Sequence, residues 1–416
     1  MPHLSRLILA LALLLGSAAQ AQAESRKAPA YDARRDRLEG LSKTELAGLA
    51  PLLEQGPIAL VEFADMQADQ LPAINIALRV NVGADALTKL IIDPGNYPSF
   101  MPTMDSVKVL ARDRNAIVYE WSFDLAVLHL SGRNTMTLYP TPPGRDTATR
   151  ITIDSDEGDM GRGRFLLRVY PQGPKQSLLV VSMRLDLREA NYVARQMAKA
   201  ARSINRSANL ALTMSMALNL RREAERRGGY KAPDVQLRGL DKPVYDLRSV
   251  APLLTRGDLL FFNMSGDQLN QISVVGAIDQ SIDKVHEVMH DANAFGSSLV
   301  PGSAAKVISQ KDGVTTFDWN IDLPLVGVSG QMQMSEKPPV VAIEATSGAL
   351  QGGRWLFELT APNPKVTVVT GWARFDFSNS TWLLQKIMQA DRFFGVGMTG
   401  ASEVMLVRAL RSRSTK

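Results

Sequence analysis

The densest set of residues able to do chemistry is His286-Glu287-Val288-Met289-His290. On a helix, positions i and i+4 share a face, so two imidazoles can meet on zinc with the glutamate as base. Three features weigh against that reading. The chain is internally repeated, and the matching positions of the earlier copy are Thr88, Lys89, Leu90, Ile91 and Ile92, none of them a ligand. The helix is short and stops at Asp291-Ala292-Asn293. His290 is the last histidine, so a distant glutamate (Glu336, Glu344 or Glu358) would have to complete the set. The expectation is two partly exposed histidines and no metal.

Other candidates are thinner. His129 falls on a strand, aligns with Gly327 and has no evident acid or nucleophile beside it, and no hydrolase triad is readable. Asp154-Ser155-Asp156-Glu157-Gly158-Asp159 lacks calcium-loop spacing and reads as a solvated strand end. There is no cysteine, which excludes disulfides, thiolate catalysis and cysteine-held metal. Charged residues recur in both copies: Asp124 with Asp322, Arg164 with Arg354, Arg184 with Arg374 and Asp186 with Asp376. Alternation puts them on the outer face, with Arg164 and Arg184 on neighbouring strands and Asp186 able to pair across. Surface ion pairs are the favoured account, and a catalytic arginine or a headgroup contact the minority one. No catalytic residue and no cofactor is assigned.

The elements that position these residues come in duplicate. Leu49-Ala50-Pro51-Leu52-Leu53 returns as Val250-Ala251-Pro252-Leu253-Leu254, 201 positions on. The segment around Trp121 returns around Trp319 at an offset of 198, and Gly163-Arg164-Phe165-Leu166 returns as Gly353-Arg354-Trp355-Leu356 at 190. Offsets that shrink between strands mean one order of elements with shorter loops in the second copy. Copy one runs over 42–227, a linker over 228–243, and copy two over 244–416. Ahead of them, Arg6, an apolar run from Leu7 to Gly16 and Ala21-Gln22-Ala23 make a signal-peptide pattern over 1–23, followed by a linker over 24–41. No later stretch reads as apolar enough to span a bilayer. A periplasmic or secreted protein, cleaved near Ala23, is expected.

Each copy reads as a capped short helix (Ser42 with Glu45), a strand near Ile74–Val82, a short helix over Ala84–Ile92, about six antiparallel strands and a helix of about 30 residues. In Tyr119-Trp121-Phe123-Leu125-Val127 every second residue is apolar, the mark of a strand wet on one side. The fold class is therefore α+β: two tandem grips, each a curved antiparallel sheet around a long C-terminal helix. Small residues line mid-helix: Ala200, Ala201, Ser203, Ser207 and Ala208 in copy one; Gly395, Gly397 and Gly400 in copy two. Facing large aromatics, they mean either interdigitation or space for an apolar ligand. The first long helix is rich in arginine, from Arg188 to Arg227, which fits a solvated face or an anionic membrane. A net charge of +5 over 416 residues gives no case for nucleic acid.

Ile92-Asp93-Pro94-Gly95-Asn96-Tyr97-Pro98-Ser99-Phe100-Met101-Pro102 resembles the START-like (SRPBCC) superfamily, closest to its coenzyme Q-binding and polyketide-cyclase-like branch, here in two copies. Copy two keeps Asp291, Phe295 and Pro301 but replaces the middle with Gly296-Ser297-Ser298. The resemblance implies a helix-grip fold holding a hydrophobic molecule such as a quinone, other isoprenoid or lipid. Tyr97, Phe100 and Met101 would cover the cavity mouth, or simply plug the core. Trp121, Phe123, Phe165 and Met183 in copy one, and Phe295, Trp319, Ile321, Trp355 and Phe375 in copy two, are the candidate ligand contacts. The expected function is an exported binding or transfer protein, with transient contact to a membrane surface as it loads. The alternatives are a cyclase or aromatase using the same cavity, for which Asn134 is the one clear inward polar group, and a partner-binding module with filled cavities.

Overall fold

The structure, a computed structural model, describes residues 38, 40–63, 73–125, 128–139, 148–159, 161–186, 202–232, 239–297, 303–323, 326–375 and 377–415. The expected leader over 1–23, most of the 24–41 segment, the first part of the long helix of copy one and the middle of the copy-two cover segment lie outside them.

Copy one opens with α1 (Lys43–Gly48) and α2 (Ala50–Leu53). The Glu45 amide donates to Ser42 Oγ at 3.2 Å, and the Ser42 amide donates to Glu45 Oε2 at 2.7 Å, the reciprocal cap its spacing predicts. β1 (Ile58–Glu62) and β2 (Ile74–Val80) follow, then α3 (Ala84–Ile91) and a 3-10 turn over Pro94–Ser99. Six strands come next: β3 (Met104–Arg112), β4 (Ala116–Leu125), β5 (Leu128–Tyr139), β6 (Thr149–Gly158), β7 (Arg162–Pro171) and β8 (Ser177–Asp186). The copy ends in α4 (Arg202–Arg227).

Copy two repeats the order with α5 (Leu247–Leu254), β9 (Gly257–Ser265), β10 (Gln268–Ile278), α6 (Ile282–His290), α7 (Ala292–Gly296), and β11 (Ser303–Lys311) to β16 (Val366–Arg374). Its terminal helix is not the single rod expected. It breaks into α8 (Trp382–Ala390) and α9 (Arg392–Ser414), because the Asp391 carboxylate accepts from the amides of Phe393 and Phe394 and so starts a new helix.

Within copy one the strands lie side by side in the order β1-β2-β8-β7-β6-β5-β4-β3, and copy two mirrors that order. Every pairing is antiparallel, and the long helix crosses one face of the sheet. Each copy is therefore a helix-grip unit, and the chain carries two in tandem. The copies are not separate bodies, however. β1 pairs with β9, joining all sixteen strands into one sheet. Ala59 lies opposite Leu260, its own counterpart at the 201-residue offset. Ile58 lies opposite Phe261 and Leu60 opposite Leu259. The junction thus has the self-complementary register of a two-fold interface.

This centre is buried on both faces. Ala59, Val61, Leu260 and Phe262 face the long helices, while Ile58, Leu60, Leu259 and Phe261 pack under α1, α2 and α5. The long helices α4 and α9 also pack on each other. A Cβ on Gly397 would come 2.5 Å from Ala211 Cα, and one on Gly400 would strike the Phe262 ring. Those two glycines therefore serve close approach of backbone and ring. By length and composition α9 is apolar enough to cross a membrane, contrary to expectation, but 72% of its apolar window is buried as core.

Polar residues fasten the same junction. Asp258, fully buried, is held by Arg408 Nε at 2.8 Å and by Arg411, and Arg408 also donates to the carbonyls of Val61 and Glu62. Asp391 accepts from Ser215 and Asn219 of α4. The arginines at the end of α4 are also engaged within the fold. Arg221, nearly buried, donates to the Gly266 carbonyl, while Arg226 and Arg227 both bind Glu223.

Candidate functional site

The interior between sheet and long helix is where the candidate residues meet. In copy one the turn at Asp93-Pro94-Gly95 sends the chain into the 3-10 segment, and Tyr97 points inward, 1% exposed. Its hydroxyl donates to the Ile91 carbonyl at 2.5 Å, and its ring meets Phe100 edge-on at 5.7 Å. Phe100 and Met101 are buried beside it. Arg222 of α4 donates to the Phe100 carbonyl at 2.9 Å and sits over the Phe393 ring of copy two. The cover segment is thus tied to both long helices.

Across the sheet, Tyr119 lies opposite Asn134, and Asn134 Nδ2 donates to the Tyr119 hydroxyl at 3.2 Å. Burial pushes Tyr119 up to about 12, and burial first, then Tyr119 and Asp93, pushes Tyr97 well above 10. Both phenols stay protonated through the physiological range. Trp121 lies opposite Gly132, where a Cβ would strike its ring at 2.8 Å, so the glycine makes room for the indole. Phe165 pairs with Met183 against Ala208 and Leu212 of α4, and Phe123 packs into the small cluster of Ala211 and Phe394 where α4 and α9 meet.

In copy two the cross-strand pair corresponding to Tyr119 and Asn134 is Phe317 and Met332, wholly apolar. Trp319, buried, and Ile321, partly buried, continue that strand. Trp355 stacks on Phe375 at 4.9 Å. The side chain of Phe295 and the position of Pro301 lie outside the described residues.

Copy two also holds a group that sequence reasoning missed. Glu403 of α9 is fully buried and accepts from Trp355 Nε1 at 2.9 Å. Burial raises its carboxyl to about 8 against an ordinary 4.5, so it is mostly protonated at neutral pH. The signal was legible: Val396, Gly400, Glu403 and Val407 share one helical stripe, and the only acid on it faces the core. Among the described residues, the buried polar atoms with no hydrogen-bond partner include Trp121 Nε1 and Asn134 Oδ1 in copy one, and Trp319 Nε1 and Glu403 Oε2 in copy two.

The remaining candidates separate cleanly. His129 has an acid after all, Asp124 at 3.5 Å across the strand pair, but both are exposed. The acidic run does not converge: Asp154 binds Arg164, Glu157 lies 3.5 Å from Arg133, and Asp159 accepts from Ser131. Arg164 pairs with Asp154 on the next strand, and Arg354 with Glu344 repeats the pairing in copy two at 3.0 Å, while the side chain of Asp186 lies outside the described residues. His286 and His290, partly exposed as expected, are joined by Glu336.

No protein-family model and no curated protein matches this chain. Among solved structures it is similar to the di-domain ARO/CYC StfQ from the steffimycin biosynthetic pathway, at 11% identity over 82% of this chain and 98% of that one, with a TM-score of 0.28. It is similar to the Zhui aromatase/cyclase from Streptomyces sp. R1128, at 17% identity over 38% of this chain and 94% of that one (TM-score 0.30). The STAR-related lipid transfer protein from Xanthomonas axonopodis shows 12% identity over 41% of this chain and 94% of that one (TM-score 0.33).

Proposed function

We propose that this protein binds and transfers a hydrophobic small molecule, a lipid, quinone or other isoprenoid, held between sheet and long helix. The observation that carries the reading is the set of partnerless polar atoms, Trp121 Nε1, Asn134 Oδ1, Trp319 Nε1 and Glu403 Oε2, inside otherwise apolar, aromatic interiors. An unsatisfied buried polar group costs about 1–3 kcal/mol. A ligand with an apolar body and one or two polar atoms would satisfy them. Its binding would draw on roughly 25 cal/mol for each Å² of apolar surface removed from water. The cover segment from Tyr97 to Pro102, held by Arg222, is the element that would open at a membrane surface.

Export belongs to the same proposal. The pattern over 1–23 supports release outside the cytoplasm after cleavage near Ala23. N-terminal sequencing of protein from the periplasmic or culture fraction checks it.

A second reading rests on Glu403. A carboxyl held near neutrality in an apolar interior can move a proton, as a cyclase or aromatase requires. Native mass spectrometry after mild purification, with organic extraction of the same sample, separates the readings. A stoichiometric hydrophobic molecule recovered unchanged supports the carrier. One that Glu403→Gln leaves bound but wild type converts supports the enzyme. Protein that carries no such molecule, and takes none from a membrane lipid extract, sinks both.

A further inference from the structure

Outside the two interiors, the most concentrated chemistry is on α6 and β13 (Val326–Lys337). Val285 and Met289 bury one side of α6 and fix its rotation. That rotation brings His286 and His290, one turn apart, over the strand, with their rings 4.3 Å apart. Glu336 rises to meet them: its Oε1 lies 2.9 Å from His286 Nε2 and its Oε2 3.2 Å from His290 Nε2. The His290 nitrogen is enclosed and makes no hydrogen bond. The ligand atoms of all three residues lie within 4.8 Å of one another.

We propose that His286, His290 and Glu336 form a site for one divalent transition-metal ion of the zinc class. Bonds of about 2.0–2.1 Å from a tetrahedral centre put neighbouring ligand atoms about 3.3 Å apart, close to the two histidine–glutamate separations of 2.9 and 3.2 Å. Two imidazoles and one carboxylate suit zinc, cobalt or nickel better than calcium or magnesium, which favour all-oxygen sets. Three protein ligands leave a fourth position for water. Glu287 leans away toward Lys284 at 3.4 Å, so the arrangement is a binding site rather than a hydrolytic centre with its base in place. The third ligand arrives from a strand some fifty residues on, so helix spacing alone could not name it. Copy one has no equivalent, since Thr88, Ile92 and Leu138 occupy the three positions at the 198-residue offset. A bound ion would pin α6, and the start of the copy-two cover segment that follows it, to the sheet.

The full chain, stripped with chelator, is titrated with Zn²⁺ and separately with Co²⁺. One equivalent per chain is expected, with the intense visible bands of four-coordinate cobalt. His286→Ala, His290→Ala and Glu336→Gln should each weaken binding by on the order of a hundred-fold or more, while Glu287→Gln leaves it unchanged. Because these residues are partly exposed, far-ultraviolet circular dichroism should be the same for all variants. Histidine ring resonances of the unmodified protein give a second reading: zinc must shift His286 and His290 and leave His129 in place. Binding no tighter than about millimolar, binding that survives the three substitutions, or shifts confined to His129 would each overturn the proposal.

Discussion

Copy one places a polar pair, Tyr119 with Asn134, on facing strands of its interior, where copy two has Phe317 with Met332. Copy two instead carries Glu403 on its helix, where the 190-residue offset puts Thr213 in copy one. The same fold thus closes around either arrangement, so neither polar group is demanded by the grip itself. Each is a cost that packing alone does not explain, and they sit on opposite walls of their interiors. Two interiors with polar groups in different places suit different ligand ends, or one ligand at different stages.

The sharpest way to break that comparison is pH. Glu403 titrates near 8 folded and near 4.5 unfolded. Between those values the native state holds a proton that the unfolded chain has released, so stability falls as pH rises from about 4.5 to 8 and levels off above. The total is on the order of 5 kcal/mol. Glu403→Gln should flatten that slope in urea unfolding series, and an unchanged slope would remove Glu403 from the account. Next is the helix crossing. Gly397→Val drives a side chain into the Ala211 backbone and should cost about 3 kcal/mol. Ser207→Ala, at the matching half-buried position of copy one, should cost less than about 0.5.

Converting one interior to the other is a subtler probe. Tyr119→Phe alone strips Asn134 Nδ2 of its acceptor and should cost about 1 kcal/mol, while Tyr119→Phe with Asn134→Met recreates the copy-two pair and should recover most of it. A double variant as costly as the sum of the singles would mean that Tyr119 and Asn134 are not coupled. The smallest effects belong to the outer face. Arg354→Ala should change stability by under about 0.5 kcal/mol, and Arg164→Ala, whose pair with Asp154 is about half as exposed, by about 1.

Much of this was legible in the chain. Period-two alternation marked β4 and its counterpart β12 (Val314–Leu323), and the S-x-x-E spacing marked α1. Repetition located the two copies and matched Arg164 with Arg354, each of which pairs with the acid opposite it. What escaped did so for physical reasons. β1 and β9 are buried on both faces, so Ile58-Ala59-Leu60-Val61 and Leu259-Leu260-Phe261-Phe262 show no alternation to read. The break at Asp391 is a capping event within an otherwise helical pattern. Glu403 was readable as an acid on the apolar stripe, but its protonation depends on burial that only the packed helix supplies. Glu336 joins the histidines by strand register, which sequence spacing does not encode. The same control by repetition discounted both the acidic run and the histidines, and at the histidines the copies have diverged, since Thr88 and Ile92 stand at the matching positions.

The mirrored register of β1 against β9 has a consequence for how such a chain must be made. A lone grip would present β1 as a bare hydrophobic edge complementary to itself, and would either dimerise or add further strands. Covalent linkage converts that concentration-dependent encounter into an intramolecular one, at an effective concentration set by the segment between α4 and α5. A chain nicked within 228–243 should therefore stay associated, while either half made alone should be found as dimers or aggregates.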